Sequence, residues 1–197
     1  ILIGTQCWMA ENLNVGVRLD GVQPSWDNGQ AEKYCYDNDE SNCDIYGGLY
    51  EWNEVMNYDT VEGGQGLCPS GWHIPTNEEW KILEGTTDTY YGVGDPEWDA
   101  HGVWRGFDAG NRLRTTTGWT SGNGTNAVGF SALPGGNRHI ISAGGGFYNL
   151  TGGGDWWSST SNSNQFPYCR YLGDGNDKVF NGNRLKDYGY SVRCIKD

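Results

Sequence analysis

The chain has 197 residues, of which 32 are glycine, 10 tryptophan, 12 tyrosine and 5 phenylalanine, and only 19% are charged. This fits one glycine-rich, loop-rich domain over residues 1–197, and no apolar run reaches the roughly 18 residues of a membrane-spanning helix, so membrane insertion is not expected. A formal charge of −12 argues against nucleic acid and anionic lipid as partners.

The chain opens on Ile1-Leu2-Ile3-Gly4 without a methionine, so we expect a removed export signal or a cut from a longer protein. Cys7-Trp8-Met9-Ala10 reads as a short strand and Glu11-Asn12-Leu13-Asn14 as its exit. Tyr46, Leu49, Tyr50, Trp52, Val55 and Met56 recur largely at intervals of three and four, which predicts a short amphipathic helix over residues 48–57. Thr76 and Glu79 stand at capping-box spacing behind Pro75, so a helix is expected to start there, bury Trp80 and Leu83, and end near Glu84 at Gly85. From Gly85 to Asn126, Gly, Asp and Thr surround isolated Trp98, Trp104 and Trp119, the pattern of long loops tethered by single aromatics. Further on, Trp156-Trp157-Ser158-Ser159-Thr160, Tyr168-Cys169-Arg170-Tyr171-Leu172 and Tyr190-Ser191-Val192-Arg193-Cys194-Ile195 alternate enough to be strands of one antiparallel sheet.

The 6 cysteines form no CxxC pair and stand near no histidine at zinc-like spacing, so disulfides are expected. Cys35 and Cys43 bracket a short polar loop that a bridge would close. The other four allow three connectivities; Cys68 with Cys194 is preferred because it ties mid-chain to the last strand, leaving Cys7 with Cys169. Such bridges imply an oxidising compartment, hence a secreted or cell-surface protein.

Catalysis is not expected. None of His73, His101 and His139 lies in a nucleophile-elbow motif, and a glycosidase carboxylate pair is defined by a spatial separation that nothing in the sequence supports. No cofactor is required. Asp37-Asn38-Asp39-Glu40-Ser41-Asn42-Cys43-Asp44 places oxygens at alternate positions, which makes Asp37, Asp39 and Asp44 candidate Ca2+ ligands against the simpler alternative of a solvated acidic turn. Asn123-Gly124-Thr125 and Asn149-Leu150-Thr151 match the glycosylation sequon, as chance allows in an asparagine-rich chain.

The C-terminal third is the richest in binding chemistry. Trp156, Asn162, Asn164, Phe166, Tyr168, Tyr171, Asn176, Asn181, Asn183 and Tyr188 form the candidate ligand-binding set. Tyrosine brings rigid contact area with a polar tip and asparagine both a donor and an acceptor, an economy that suits sugars and protein surfaces alike. The competing expectation is that Phe166, Tyr168 and Tyr171 are ordinary sheet and core residues.

Seven blocks in order resemble the Fibrobacter succinogenes major paralogous domain: Ile3-Gly4-Thr5-Gln6-Cys7-Trp8-Met9-Ala10-Glu11-Asn12-Leu13-Asn14, Tyr34-Cys35-Tyr36-Asp37-Asn38-Asp39, Tyr46-Gly47-Gly48-Leu49-Tyr50-Glu51-Trp52, Cys68-Pro69-Ser70-Gly71-Trp72-His73-Ile74-Pro75, Gly129-Phe130-Ser131-Ala132-Leu133-Pro134-Gly135-Gly136, Trp156-Trp157-Ser158-Ser159 and Gly189-Tyr190-Ser191-Val192-Arg193-Cys194. The resemblance implies an extracellular α+β domain of the C-type-lectin-like fold, with two short helices on small antiparallel sheets, long ordered loops and disulfides. Glu-Pro-Asn, Gln-Pro-Asp and Trp-Asn-Asp, the calcium and sugar motifs of C-type lectins, do not occur. The tail also resembles the diversified C-terminal segment of retroelement-targeted variable proteins. We therefore expect a non-enzymatic recognition or adhesion module that binds a glycan or surface protein. The alternatives are a self-associating subunit of a fibre or sheath and, more weakly, a formylglycine-generating or glycan-cleaving enzyme.

Overall fold

The computed structural model describes residues 1–139, 146–162 and 165–197. A hairpin of β1 (Leu2–Ile3) and β2 (Gln6–Cys7) precedes the parallel pair β3 (Val17–Leu19) and β4 (Glu32–Tyr34). Then come α1 (Glu40–Tyr46), α2 (Trp52–Val55), β5 (Trp72–His73) and α3 (Asn77–Thr87). After them lie β6 (Val103–Arg105), α4 (Ala109–Leu113), β7 (Asn137–His139) and β8 (Gly146–Tyr148). The chain finishes with β9 (Gly153–Ser161), β10 (Pro167–Gly173), β11 (Val179–Asn183) and β12 (Ile195–Lys196). The largest sheet among the described residues is antiparallel, in the order β6-β11-β10-β9, giving a mixed α+β architecture with small accessory pairs.

Successive residues of a strand face opposite sides, and β9 uses this to serve two cores. Trp156 packs with Trp8, Trp80, Phe130 and Leu172, while Trp157 packs with Trp52, Ile74, Cys169 and Tyr190. The first of these cores lies under α3. Its capping box forms as the spacing predicts: Glu79 N donates to Thr76 Oγ1 (3.2 Å) and Thr76 N to Glu79 Oε2 (2.8 Å). The helix nevertheless runs on to Thr87. Gly85 does not end it but lets the loop pack against it, since a Cβ there would sit 2.7 Å from Val93 Cα.

Glu84 stands on the inward side of α3 with no solvent exposure. Its Oε2 accepts from Arg105 Nε (3.0 Å) and Nη2 (2.6 Å), and its Oε1 accepts from Arg170 Nε. One carboxylate thus ties the helix to β6 and to β10. The remaining guanidinium donors reach Trp98 O, Ala100 O (3.0 Å), Asn181 Oδ1 (2.7 Å) and Asn77 Oδ1 (3.0 Å).

Several expectations are corrected. Four α-helices stand where two were expected, because the acidic 37–44 segment coils into α1 and residues 109–113 into α4. The stretch from 85 to 126 also contributes β6 to the main sheet. Tyr190 to Ile195 is not a strand of that sheet. It threads between elements, bridging Tyr50, Trp156 and Trp8 in turn, and only Ile195–Lys196 pairs regularly, with β5.

Disulfides join Cys35 to Cys43 and Cys68 to Cys194. The expected Cys7–Cys169 bridge is absent: Cys7 stays on the opening hairpin while Cys169 lies inside the second core, paired with Trp157 and Gly182. Burial pushes the Cys169 thiol up to about 12. No helix among the described residues is long and apolar enough to cross a membrane.

Two consequences are measurable. Thiol titration should find the 2 free cysteines in denaturant, with Cys169 silent until the fold opens; a single reactive thiol there would contradict this pairing. Glu84→Gln leaves two buried guanidiniums without their counter-charge and should cost about 3–5 kcal/mol, a fall in Tm of roughly 6–20 °C by thermal unfolding. A change under about 2 °C would show that the clamp is dispensable.

Candidate functional site

Strand β7 alternates in the same way as β9. Arg138 points inward, fully buried, donating to Gly21 O (2.8 Å), Gln23 O (3.0 Å) and Glu51 Oε1 (2.7 Å) and covering the Tyr34 ring at 4.0 Å. Its neighbours Asn137 and His139 point the other way, into a cleft of about 260 Å³. The rest of the lining comes from Asn149, Asp155, Tyr171, Arg184, Tyr188 and Tyr190. Arg138 N donates to Gly189 O (2.9 Å) and Gly189 N returns a bond to Arg138 O (2.7 Å), which sets Tyr188 and Tyr190 against β7.

Inside the cleft the His139 ring is sandwiched between Tyr148, at 4.1 Å and 14°, and Tyr188, at 5.0 Å and 23°. Burial and the Arg138 guanidinium hold its pKa below the ordinary histidine value, so the ring is neutral. Asn137 Nδ2 donates to Asp155 Oδ2 (2.8 Å), and Asn149 Nδ2 donates to the Tyr171 hydroxyl (3.1 Å). Among the described residues, Asn137 Oδ1 and His139 Nδ1 are buried with no hydrogen-bond partner. Buried polar atoms are rarely left this way, each costing about 1–3 kcal/mol. Asp155 is only 4% exposed, and its carboxyl is pushed up to about 7 by burial, against the Asn137 hydrogen bond and the Arg184 charge.

Beyond the cleft the outward face of the sheet carries a row of rings. Tyr171 opposes Asp155 on one side and Phe180 on the other, and Phe180 opposes Trp104. Trp104 meets Tyr171 at 5.4 Å and Phe180 at 5.7 Å. Two glycines allow these rings to lie against the backbone: a Cβ on Gly153 would run into the Tyr171 ring, and one on Gly182 would lie 2.6 Å from the Phe180 ring.

Of the ligand-binding set read from the sequence, Tyr171 and Tyr188 meet in this cleft. Asn183 supports it, its carbonyl accepting from Arg184 Nη1 (2.9 Å). Trp156 and Asn181 belong to the interior instead. Trp156 is 1% exposed and donates to Asn12 Oδ1 (3.0 Å); Asn181 is 2% exposed and holds Arg170 and Ala100 O. Tyr168 turns away to meet His101 edge-on at 5.2 Å. Asn162 and Phe166 close the β9–β10 turn, Asn162 Oδ1 accepting from Phe166 N (2.9 Å), about 20 Å of strand away from Asp155. Asn176 accepts from Lys178 N (3.0 Å) in the next turn, and Asn164 lies outside the described residues.

The acidic segment does not converge as a calcium loop would. Asp39 caps α1, accepting from Ser41 N (3.0 Å), Asp37 precedes the helix and Asp44 lies within it. Among the described residues no group of three or more His, Cys, Asp or Glu side chains is placed to hold a metal ion. His73 is held between Glu79 Oε1 (2.9 Å) and Asp197 Oδ1 (2.7 Å). A second cleft, of about 320 Å³, is lined by Asn12, Asn14 and Tyr46, but its amides are already occupied by Tyr46 O, Cys43 O, Lys33 and Arg193.

The residues that were missed have a weak sequence signal. Asn137-Arg138-His139 is a polar triplet whose two outer members share a face, and Asp155 directly precedes the paired tryptophans. Only the burial of Arg138 reveals which way each of them points.

The fold and cleft thus define a disulfide-bonded α+β domain with a polar, aromatic-walled recess on the outer side of its main sheet. The chain belongs to the Fibrobacter succinogenes major domain family, whose family model matches residues 1–196. No curated protein and no solved structure matches it.

The raised Asp155 pKa makes stability pH-dependent. An acid whose pKa is raised on folding adds stability that is complete below its unfolded value near 3.8 and is lost as pH rises through about 7. Wild-type protein should therefore lose about 3 kcal/mol between pH 5 and pH 8 through this group, and Asp155→Asn should not. Parallel melting curves for the two proteins across that range would contradict the assignment.

Proposed function

We propose that the domain is a non-enzymatic recognition or adhesion module of C-type-lectin-like design that works outside the cell. It binds a glycan or surface protein through its C-terminal strands and loops. The observation that carries this reading is the cleft between β7 and the main sheet, where tyrosine rings surround Asn137 Oδ1 and His139 Nδ1, two polar atoms with no hydrogen-bond partner among the described residues. The disulfides support an oxidising, extracellular setting. Binding needs no Ca2+ and no cofactor in this scheme, because the carboxylates of 37–44 serve the turn and the helix cap.

An enzyme of the formylglycine-generating kind would need a reactive cysteine pair. Cys169 argues against that role, since its thiol is buried and held far from the thiolate form. A subunit role in a surface assembly is the second reading. It is favoured by the exposed cluster of Tyr90 and Phe107, whose rings lie 6.0 Å apart, near exposed Val93.

The test is a binding screen of the domain against a glycan array and cell-surface extracts, with and without chelator, alongside Tyr171→Ala and Tyr188→Ala. Binding that survives chelation and falls at least about tenfold in both variants, with melting temperatures retained, is the expected result. Ligands bound equally by the variants would place recognition elsewhere. Concentration-dependent self-association without any ligand would favour the subunit reading.

A further inference from the structure

We propose that the ligand is a neutral oligosaccharide, with one pyranose held in the cleft by adjacent hydroxyls between Asn137, Asp155 and Arg184 and the next sugar stacked along Tyr171 and Trp104. This rests on the recognition reading above and names the chemistry of that same site.

The polar groups select for hydroxyls. Asn137 Oδ1 accepts only, and it is buried without a donor. His139 Nδ1 is equally unpartnered on a neutral ring, and Asp155 adds carboxylate oxygens beside them. Arg184 lines the same cleft, donates to Asn183 O (2.9 Å) and hydrogen-bonds Tyr190, which leaves further guanidinium donors. A hydroxyl donates one hydrogen bond and accepts others, so neighbouring hydroxyls can satisfy the acceptors on one side and the guanidinium on the other. An ammonium group could not accept from Arg184. A carboxylate could not donate to Asn137, and it would approach a chain of net charge −12.

The rings define the second contact. Tyr171 borders the cleft and touches Trp104, so the aromatic surface leads out of the recess without a break. Because Gly153 carries no side chain, the Tyr171 ring lies close over the strand backbone. The C–H side of a pyranose packs on an aromatic face while its hydroxyls stay available for hydrogen bonds. A recess of about 260 Å³ beside an open strip suits one enclosed sugar followed by others that are not enclosed.

The experiment titrates the domain calorimetrically with mono-, di- and trisaccharides of the gluco, galacto and manno series and with sialylated and uronic-acid counterparts. Partners are wild type, His139→Phe, which keeps the ring stack but removes the nitrogen, and Trp104→Ala, with Trp104→Leu as a substitute if the alanine variant does not fold. We expect a neutral series to bind at least tenfold better than its acidic counterparts and to gain at least tenfold from one sugar to three. His139→Phe should lose about tenfold at every length, whereas Trp104→Ala should abolish only the gain with length. Preference for acidic glycans, a Trp104→Ala loss independent of length, or a protein ligand sensitive to Tyr171→Ala would overturn the saccharide assignment while leaving a recognition module. If no sugar or surface extract binds in a Tyr171-dependent way, both fail together.

Discussion

A single carboxylate, Glu84, holds the helix, the sheet and the loop between them in register. It accepts from Arg105 on β6 and Arg170 on β10, residues on strands separated by β11 in the sheet. Both guanidiniums are buried, so neither can exchange this partner for water. The same two arginines then reach Trp98 O, Ala100 O, Asn181 and Asn77, which fixes the loop before β6 and the first turn of α3. Removing the carboxylate would leave two charges facing each other in a dry interior, and this makes the packing of α3 on the sheet all-or-none.

This clamp occupies one face of the sheet, while on the other Trp157 and Cys169 fill the second core beside the more open rings of Tyr171 and Phe180. Arg170, Asn181 and Trp156 all face α3 by alternation, which turns Tyr171, Phe180 and Asp155 outward. Here glycines take the place of side chains between the rings, and the rings lie down on the strands. The strand sequence Val179-Phe180-Asn181-Gly182-Asn183 shows both functions in five residues, with Asn181 spent inside and Phe180 laid over Gly182 outside.

What was legible in the sequence was local. The Thr76 and Glu79 box, the Cys35–Cys43 bridge and the two hairpin strands around Trp156 and Tyr168 depend on neighbours close in the chain, and they appear where spacing places them. The Cys7–Cys169 pairing was reached by elimination, which says nothing of distance, and the fold sends the two thiols to different places. The tail from Tyr190 looked like a strand because it alternates. Its alternation serves two cores, and its backbone bonds are shared among Tyr50, Asp155 and Leu13 rather than given to one partner strand. The tyrosine and asparagine count led to Tyr171 and Tyr188, which line the cleft, but could not orient Trp156 or Asn181, since residue type does not reveal which face of a strand it occupies.

Short elements leave many carbonyls unpaired, and the chain answers this with arginine. Arg105, Arg114, Arg138, Arg170 and Arg193 are all buried, and each donates to at least one carbonyl outside any helix interior: Trp98 and Ala100, Gly173, Gly21 and Gln23, Asn77, and Phe130 and Ser131 respectively. A planar guanidinium with five donors can fasten several loops at once, which a lysine ammonium on a flexible stem cannot. Arg193 does so with no ion pair among the described residues, and burial lowers its pKa to about 9, so its place depends on Asn12 and two carbonyls. Arg138, anchored to Glu51 and the 21–23 loop, adds to burial in lowering the pKa of the neighbouring His139 and fixes the strand from which Asn137 and His139 project.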